Sequence, residues 1–149
     1  MALREIRKKG DEILEKVCKE VKVFDERLWT LLDDMYDTMT NSDGVGLAAP
    51  QVGILKRAAV IDIGEGKIEI INPVIVSEEG TQNGSEGCLS VPGVFGEVER
   101  PQKVTVEAQD RNGNKITVTG EDLLARALCH EIEHLDGKLF LERVTEFLE

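Results

Sequence analysis

The stretch CHEIEHLDG, Cys129 to Gly137, contains both histidines of the 149-residue chain. If the stretch is helical, residues four apart differ by only about 40° around the axis, so His130 and His134 project from one face, one above the other. Glu131 then lies about 100° around from His130, beside the two rings. This is the H-E-x-x-H arrangement of metal hydrolases, in which two histidines hold a metal and the glutamate acts on a water. The stretch therefore predicts a metal site on a helix.

The residues around the histidines indicate a helix independently of the motif. Apolar residues recur there at helical spacing and form one wide face, at Leu123, Leu124, Ala127, Leu128 and Leu135. Thr119 to Asp122 offers a capping box at the start of this helix, and Gly137 is a natural stop at its end. The alternative is two surface histidines on an acidic amphipathic helix, since H-E-x-x-H also occurs by chance, but the helix context and the apolar flanks favour the metal site.

A catalytic metal site usually has three protein ligands and an open position for water. In the H-E-x-x-H-x-x-G-x-x-H pattern the third ligand would fall at Phe140, and the fifteen residues after His134 are too few for a second long helix with a distant glutamate. The chain contains no third histidine. The third ligand is therefore expected upstream, and cysteine is the best candidate type.

Of the three cysteines, Cys88 best fits a ligand. It lies in SEGCLSVPG, between Gly87 and a turn expected at Pro92–Gly93, and small flanking residues let the backbone come close to a bound group. Cys129 points about 100° away from the first histidine of the helix. Nothing around Cys18 indicates a site. Both of these cysteines are expected to be buried structural thiols.

The composition indicates a single domain over residues 1–149 with an aliphatic core, since 41% of residues are hydrophobic and 4% are aromatic. A net charge of −11 repels phosphate backbones, so direct nucleic-acid binding is not expected. No apolar run is long enough to span a bilayer, and no hydrophobic stretch of a secretory signal is expected at the start. Three cysteines form no disulfide framework, which favours the cytoplasm.

The rest of the chain predicts helices first and strands in the middle. A short helix is expected over residues 11–20, and a longer one over a Leu and Met stripe that Asp25 caps and that ends by Asn41–Gly44. Strands are expected at Ala58–Ile63, Lys67–Ile71, Lys103–Gln109 and Lys115–Thr119, with a hairpin turn at Asn112–Gly113 and a short helix in the final LERVTEFLE. This order favours an α+β fold with the motif helix packed against antiparallel sheet.

A third unusual stretch is GVGLAAPQVG, Gly44 to Gly53, in which the polar Gln51 follows an apolar run. By itself it would be a tight turn that enters a strand. Together, however, GVGLAAPQ at 44–51, EGCLS at 86–90 and HEIEHLDG at 130–137, in this order and spacing, closely resemble the peptide deformylase family. The resemblance covers nearly the whole chain. The three motifs together are highly specific for that family, whereas H-E-x-x-H alone is not.

The resemblance implies a fold, a reaction and a metal. The fold has antiparallel sheets packed around a central helix that bears H-E-x-x-H, with N-terminal helices. The reaction removes the N-formyl group from the N-terminal formylmethionine of newly synthesised proteins and releases formate, as metal-bound hydroxide attacks the formyl carbonyl. The resemblance implies Fe2+ as the metal in the cell, and Zn2+, Ni2+ or Co2+ as substitutes.

The roles that the resemblance implies fall into three groups. The metal ligands are Cys88, His130 and His134. The groups that act on the reaction are Glu131 as general acid/base and Gln51 with the Leu89 backbone N–H as oxyanion donors. The substrate contacts are Gly46, whose backbone would pair with the peptide as an added strand, Gly87, and Val45, Leu123 and Ala127, which contribute to an apolar pocket for the methionine side chain.

The chain also departs from common family sequence near the motifs. Cys129 and Glu133 stand where glutamine and aspartate are frequent, and GVFGEVE at 93–99 lacks an arginine that some members use near the substrate. Arg100 either pairs with Glu86 and holds the Cys88 segment, or both side chains are solvated. The expected partners are N-formylmethionyl nascent peptides, for a monomer in the bacterial cytoplasm. Because the chain ends in an acidic tail, contact with the ribosome is expected to be at most transient.

Two other functions stay open on the sequence alone. One is an H-E-x-x-H peptidase that cleaves internal amide bonds; the two other motifs speak against it, and cleavage of casein would support it. The other is a structural metal domain or binding module without turnover, for which a fully coordinated metal without bound water would be the sign. Structural zinc sites have four protein ligands, whereas only three candidates are found here, and Glu131 would have no use in such a site.

Overall fold

The computed structural model describes residues 2–148, which form two α-helices and eight strands. The α-helices are α1 (Glu26–Asn41) and α2 (Asp122–Leu135). The strands are β1 (Gly46–Ala48), β2 (Ala58–Ile61), β3 (Ile68–Glu79), β4 (Gln82–Cys88), β5 (Val91–Arg100), β6 (Lys103–Gln109), β7 (Lys115–Glu121) and β8 (Val144–Leu148). None of the helices in this part of the chain has the length and apolar character needed to cross a membrane.

Two antiparallel sheets pack around α2. The larger sheet has the strand order β1-β2-β3-β6-β7 and the smaller one the order β4-β5-β8. Neighbouring strands are antiparallel throughout both sheets. Helix α2 contacts β1, β2, β6 and β7 of the larger sheet and β5 of the smaller one. The predicted α+β fold, with antiparallel sheets around the H-E-x-x-H helix, is therefore confirmed.

Helix α2 is enclosed on nearly all sides, and ten of its fourteen residues are buried. Its apolar face packs in one core with side chains of β2, β3 and β6. The helix begins after Glu121 without a side-chain cap, so the predicted capping box is wrong. Instead Asp122 adopts a φ of 54°, and its N–H donates to the Gln102 carbonyl at 3.1 Å. The helix stops before Gly137, whose φ is 78°, as predicted.

The other periodic segments also fold as the sequence predicts. The Asp25 carboxylate accepts hydrogen bonds from the N–H groups of Arg27 and Leu28 and so caps α1, whose Leu and Met stripe is fully buried against β1 and β2. Strands β6 and β7 form the predicted hairpin, with Gln109 opposite Lys115. Strands β2 and β3 are present, although β3 runs to Glu79, well beyond the predicted end.

Two of the predicted helices are wrong. Residues 11–20 contain only the 3-10 turn Glu12–Glu15, because the chain then becomes extended: the Cys18 N–H donates to the Leu135 carbonyl, and Lys19 pairs with Lys56. The final segment has a 3-10 turn at Phe140–Arg143 and then forms β8, which pairs with β5. In both segments, backbone pairing with a distant part of the chain overrides the local helical pattern.

Strands β4 and β5 were not predicted, and the turn between them lies elsewhere than expected. The two strands meet at a turn of Leu89 and Ser90, while Pro92 and Gly93 belong to β5. The sequence of β4, QNGSEGC, has neither β-branched residues nor alternation of apolar and polar positions. Pairing with β5 and contacts with α2 therefore determine this strand, rather than its own propensity.

The N-terminal segment (residues 2–22) is fixed to the sheets by backbone hydrogen bonds and by one asparagine. Asn72 accepts from the Val21 N–H at 2.8 Å and donates to the Val21 carbonyl at 2.9 Å. It also donates to the Gln109 side chain at 2.7 Å. The backbone of Asn72 has a φ of 52°, a left-handed conformation that asparagine tolerates better than most residues.

Replacing Asn72 by alanine is therefore expected to lower the free energy of unfolding by about 2–4 kcal/mol. The change removes three hydrogen bonds of about 0.5–1.5 kcal/mol each and leaves a strained backbone. Urea denaturation measures the effect. Asn83→Ala, at an exposed position of β4, is the control, and an equal loss in the two variants would contradict the assigned role of Asn72.

Candidate metal centre

Cys88, His130 and His134 bring one ligand atom each to a common point, where these atoms all lie within 4.8 Å of one another. The Cys88 Sγ is 3.3 Å from the His134 Nε2, and the Nε2 atoms of the two histidines are 3.2 Å apart. Tetrahedral ligands at bond lengths of about 2.0–2.3 Å would be separated by about 3.3–3.6 Å. These two separations are close to that range, so the donor set is compatible with a shared metal ion.

Two elements create this cluster. The helical spacing places both histidine rings on one side of α2, with their centroids 4.8 Å apart. Cys88 is the last residue of β4, next to an irregularity in the pairing with β5. The other two thiols, Cys18 and Cys129, are buried in the core as expected, where burial raises the pKa of each to about 11. The structure thus places Cys88, and neither of the other cysteines, beside the histidines.

Glu86 connects His130 to two buried arginines. Its carboxylate accepts from the His130 Nδ1 at 2.6 Å, from the Arg126 Nη1 at 2.8 Å and from the Arg100 Nε at 3.1 Å. Arg100 is only 3% exposed, so the expected alternative in which this pair is solvated is wrong. Burial acts to raise the pKa of the Glu86 carboxyl, but its hydrogen bonds to His130 and Arg100 outweigh burial and hold the pKa well below its usual range.

The contact with Glu86 determines which nitrogen of His130 faces the cluster. Because the Nδ1 donates to a carboxylate, the Nε2 is directed at the Cys88 and His134 side. Burial acts to lower the pKa of His130, but hydrogen bonds to Cys88 and Glu86 raise it to about 10, so a cation that binds here displaces a proton. Burial and the neighbouring His130 lower the pKa of His134, which leaves a neutral imidazole.

Glu131 carries a buried carboxylate beside this cluster. Among the buried side-chain nitrogen and oxygen atoms of residues 2–148, only the Glu131 Oε1 and the His134 Nδ1 have no hydrogen-bond partner. Burial raises the pKa of the Glu131 carboxyl to about 7. A side chain at Gly46 would collide with this carboxylate, which explains the glycine in β1. A buried carboxylate without a protein partner is typical of a group that acts on a bound molecule.

Gln51 is held in one orientation by contacts at both ends of its amide. The Oε1 accepts from the Ala48 N–H at 3.0 Å, and the Nε2 donates to the Ser90 Oγ at 3.0 Å. The same Nε2 is 3.5 Å from the Cys88 Sγ. Since only the nitrogen can donate, these contacts direct an N–H group toward Cys88. Leu89 follows Cys88 in the turn, and its side chain packs against Gly44, where a Cβ would lie 2.7 Å away.

A cavity of about 420 Å³ opens beside the cluster, and every site residue predicted from the sequence lines it except His134. Its lining also includes Phe95 and Arg126, which were not predicted as site residues. Arg126 lies four residues before His130 on the same helix face, so helical spacing was a usable signal. Phe95 gave no signal, since β5 was not predicted.

Residues 3–148 match the family model described as polypeptide deformylase. The chain belongs to this family. It is 63% identical over 149 residues to the peptide deformylase of Acetivibrio thermocellus, an alignment that covers 100% of this chain and 88% of that one. Peptide deformylases are metal-dependent hydrolases that remove the N-formyl group from N-terminal methionine, so the family and reaction predicted from the sequence are confirmed.

Solved peptide deformylase structures have the same fold. The crystal structure of the Legionella pneumophila peptide deformylase superimposes with a TM-score of 0.94 and 51% identity, over 97% of this chain and 87% of that one. The peptide deformylase of Thermotoga maritima gives a TM-score of 0.95 at 41% identity, over 97% of this chain and 99% of that one.

The buried network around Glu86 makes a prediction about stability. Arg100→Met is expected to lower the free energy of unfolding by about 3 kcal/mol or more, because it leaves the buried Glu86 carboxylate and the partly buried Glu133 carboxylate with less compensation. Arg143→Met is the matched control, since Arg143 also pairs with Glu133 but is 53% exposed, and it is expected to cost about 1 kcal/mol or less. Chemical denaturation measures the free energy of unfolding of both variants. Equal losses in Arg100→Met and Arg143→Met would contradict the larger contribution assigned to the buried Arg100.

Proposed function

We propose that the metal on which deformylation depends is held by Cys88, His130 and His134, and that Glu131 moves the protons of the reaction. The observation that carries this proposal is the meeting of three ligand atoms with a buried, unpartnered carboxylate at one cavity. Membership of the family indicates the reaction, and this cluster contains groups of the chemical type that the reaction requires.

The donor set is compatible with several divalent ions, since imidazole and thiolate ligands suit iron, zinc, nickel and cobalt. Fe2+ is proposed in the cell, with Zn2+, Ni2+ or Co2+ as substitutes. When bound, the cation supplies Lewis acidity that lowers the pKa of water and polarises a carbonyl group. Glu86 contributes by fixing the ring of His130 through its Nδ1, as a carboxylate typically does behind a metal-binding histidine.

Glu131 is proposed as the general base and then the general acid. Its Oε1 is free of protein partners, so it can accept a proton from the attacking water. A pKa near 7, raised by burial, is suited both to taking up that proton and to releasing it to the leaving amine. A Cβ at Gly46 would collide with the Glu131 carboxylate, so the glycine lets β1 lie directly beside this group.

The developing oxyanion is proposed to be stabilised by the amide N–H of Gln51 and the backbone N–H of Leu89. The contacts of Gln51 with Ala48 and Ser90 fix its amide in advance, so little reorganisation is needed during the reaction. Leu89 follows directly after Cys88, which places its backbone at the cluster.

The substrate peptide is proposed to lie between two strand edges. Strand β1 is at one end of the larger sheet and β4 at one end of the smaller sheet, and residues of both line the cavity. Gly46 would pair with the peptide as an added strand, with Gly87 on the opposite side. The methionine side chain would enter the apolar part of the lining, at Val45, Leu123 and Ala127.

We propose that the whole of residues 1–149 is one catalytic domain that works as a monomer in the bacterial cytoplasm on formylated nascent chains. The family match over residues 3–148 supports a single domain, and the bacterial relatives support a bacterial setting. The net charge of −11 disfavours direct contact with nucleic acid and is consistent with no more than transient contact with the ribosome.

Replacing Glu131 by glutamine is expected to lower kcat for formate release from a formyl-Met peptide by about 10²–10⁴-fold, while the metal content stays that of the wild type. Both proteins are loaded anaerobically with Fe2+ and compared for formate release and bound iron. Glu142→Gln, an exposed position, serves as the control and is expected to keep full activity. Wild-type turnover in metal-loaded Glu131→Gln would exclude the proposed role.

Metal removal is expected to expose one reactive thiol out of three. Cys18 and Cys129 are buried with a pKa of about 11, whereas Cys88 lines the cavity and is protected only when it is bound to metal. A thiol reagent added with a chelator should therefore modify one equivalent quickly, and Cys88→Ser should abolish that phase. A thiol that is modified equally fast with and without the chelator would argue against Cys88 as a ligand.

A further inference from the structure

Glu133 of α2 is a charged residue that directly precedes His134 in the sequence. It is not part of the three-residue cluster and does not line the cavity. Its Oε1 accepts from the Arg100 Nη1 at 2.6 Å, and its Oε2 accepts from the Arg143 Nε. Because the side chain is only 13% exposed, this carboxylate is held within the protein by a cation at each of its oxygens.

Arg100 connects Glu133 to the histidine at the other end of this network. Its Nε and Nη2 donate to the two oxygens of Glu86 at 3.1 and 2.5 Å, while its third nitrogen donates to Glu133. A guanidinium is a rigid plane, so contacts at two of its edges fix its orientation. Glu86 in turn accepts from the His130 Nδ1 at 2.6 Å. Consecutive hydrogen bonds therefore join Glu133 to a candidate metal ligand.

The charges of this network balance only when Glu133 is included. Glu86 pairs with two buried guanidinium groups, those of Arg100 and Arg126, so these three side chains carry an excess positive charge that Glu133 cancels. An excess positive charge beside His130 would repel a divalent cation and would weaken Glu86 as an acceptor for the imidazole N–H. Since Arg100 and Arg126 are only 3% and 6% exposed, salt and solvent screen this repulsion little.

We propose that Glu133 is a positioning residue that slows the loss of the bound metal ion by compensating the charge of Arg100. It acts through Arg100 and Glu86 on the ring of His130, and it contacts neither metal nor substrate. This inference rests on the proposed metal ligands. It also gives a role to a position at which the chain departs from common family sequence, because Glu133 stands where aspartate is frequent. The two residue types carry the same charge, so either one provides the compensation.

The experiment measures the rate at which bound Zn2+ passes from the protein to an excess of a chromogenic chelator. Glu133→Gln keeps an oxygen that can accept from Arg100 but removes the negative charge. It is expected to release Zn2+ about 10–100-fold faster than the wild type, the range typical for loss of an outer partner of a metal-binding histidine. Glu133→Asp, which restores the charge, is expected to release Zn2+ within about threefold of the wild-type rate.

Three controls separate this effect from a general loss of stability or of surface charge. The fluorescence of Trp29, the single tryptophan, is followed during release, and a constant signal shows that the metal leaves the folded protein. Glu142→Gln removes the same charge at an exposed position and should release Zn2+ at the wild-type rate. Arg143→Met removes the other partner of Glu133, but this arginine is 53% exposed, so release should stay within about twofold of the wild-type rate.

Release from Glu133→Gln at the wild-type rate, or as fast from Glu133→Asp as from Glu133→Gln, would overturn this inference and leave the proposed metal centre intact. So would a release that coincides with a change in Trp29 fluorescence, because unfolding would then explain it. A wild-type protein that binds no stoichiometric Zn2+, or a Cys88→Ser variant that retains Zn2+ as long as the wild type, would instead overturn the proposed metal centre.

Discussion

The carboxylate of Glu86 is the contact on which the arrangement of the site depends. A buried carboxylate without partners would be strongly unfavourable, and here it is compensated by Arg100 from β5 and by Arg126 and His130 from α2. All of these contacts can be made only if β4, β5 and α2 keep one relative position. Because Cys88 is two residues after Glu86, the same constraint brings its thiol to the histidines.

Close approach of backbones is the second requirement, and it explains why glycines surround the site. The Glu131 side chain leaves no space for a side chain at Gly46, and the Leu89 side chain leaves none at Gly44. The larger sheet can therefore approach α2 and the Cys88 turn closely enough to form one wall of the cavity. The apolar side chains of Val45, Leu123 and Ala127 line the same cavity.

The parts of the fold that were predictable are those in which local pattern and tertiary structure agree. Helices α1 and α2 and the β6–β7 hairpin carry clear periodicity or turn chemistry. The placement of His130, Glu131 and His134 together follows from helical geometry alone, and Cys88 could be chosen among the three cysteines by its small flanking residues. Strands β4, β5 and β8 were missed because they exist through pairing with each other rather than through their own propensity. Phe95 was missed with them, since its contribution to the cavity depends on this sheet.

The N-terminal segment shows that the site also depends on a part of the chain with almost no regular structure. The Arg7 N–H donates to the Gln51 carbonyl at 2.7 Å, and the Lys9 N–H donates to the Ser90 carbonyl at 2.8 Å. Gln51 and Ser90 are the two residues whose side chains are hydrogen-bonded to each other beside Cys88. The segment therefore joins the backbones of the first two motifs directly behind the side-chain contact that orients the Gln51 amide. The Cys18 N–H also donates to the carbonyl of Leu135 at the end of α2. The extended N-terminal segment is therefore hydrogen-bonded to all three motif segments. Regular structure within a segment is thus a poor guide to how much that segment contributes to the geometry of the site.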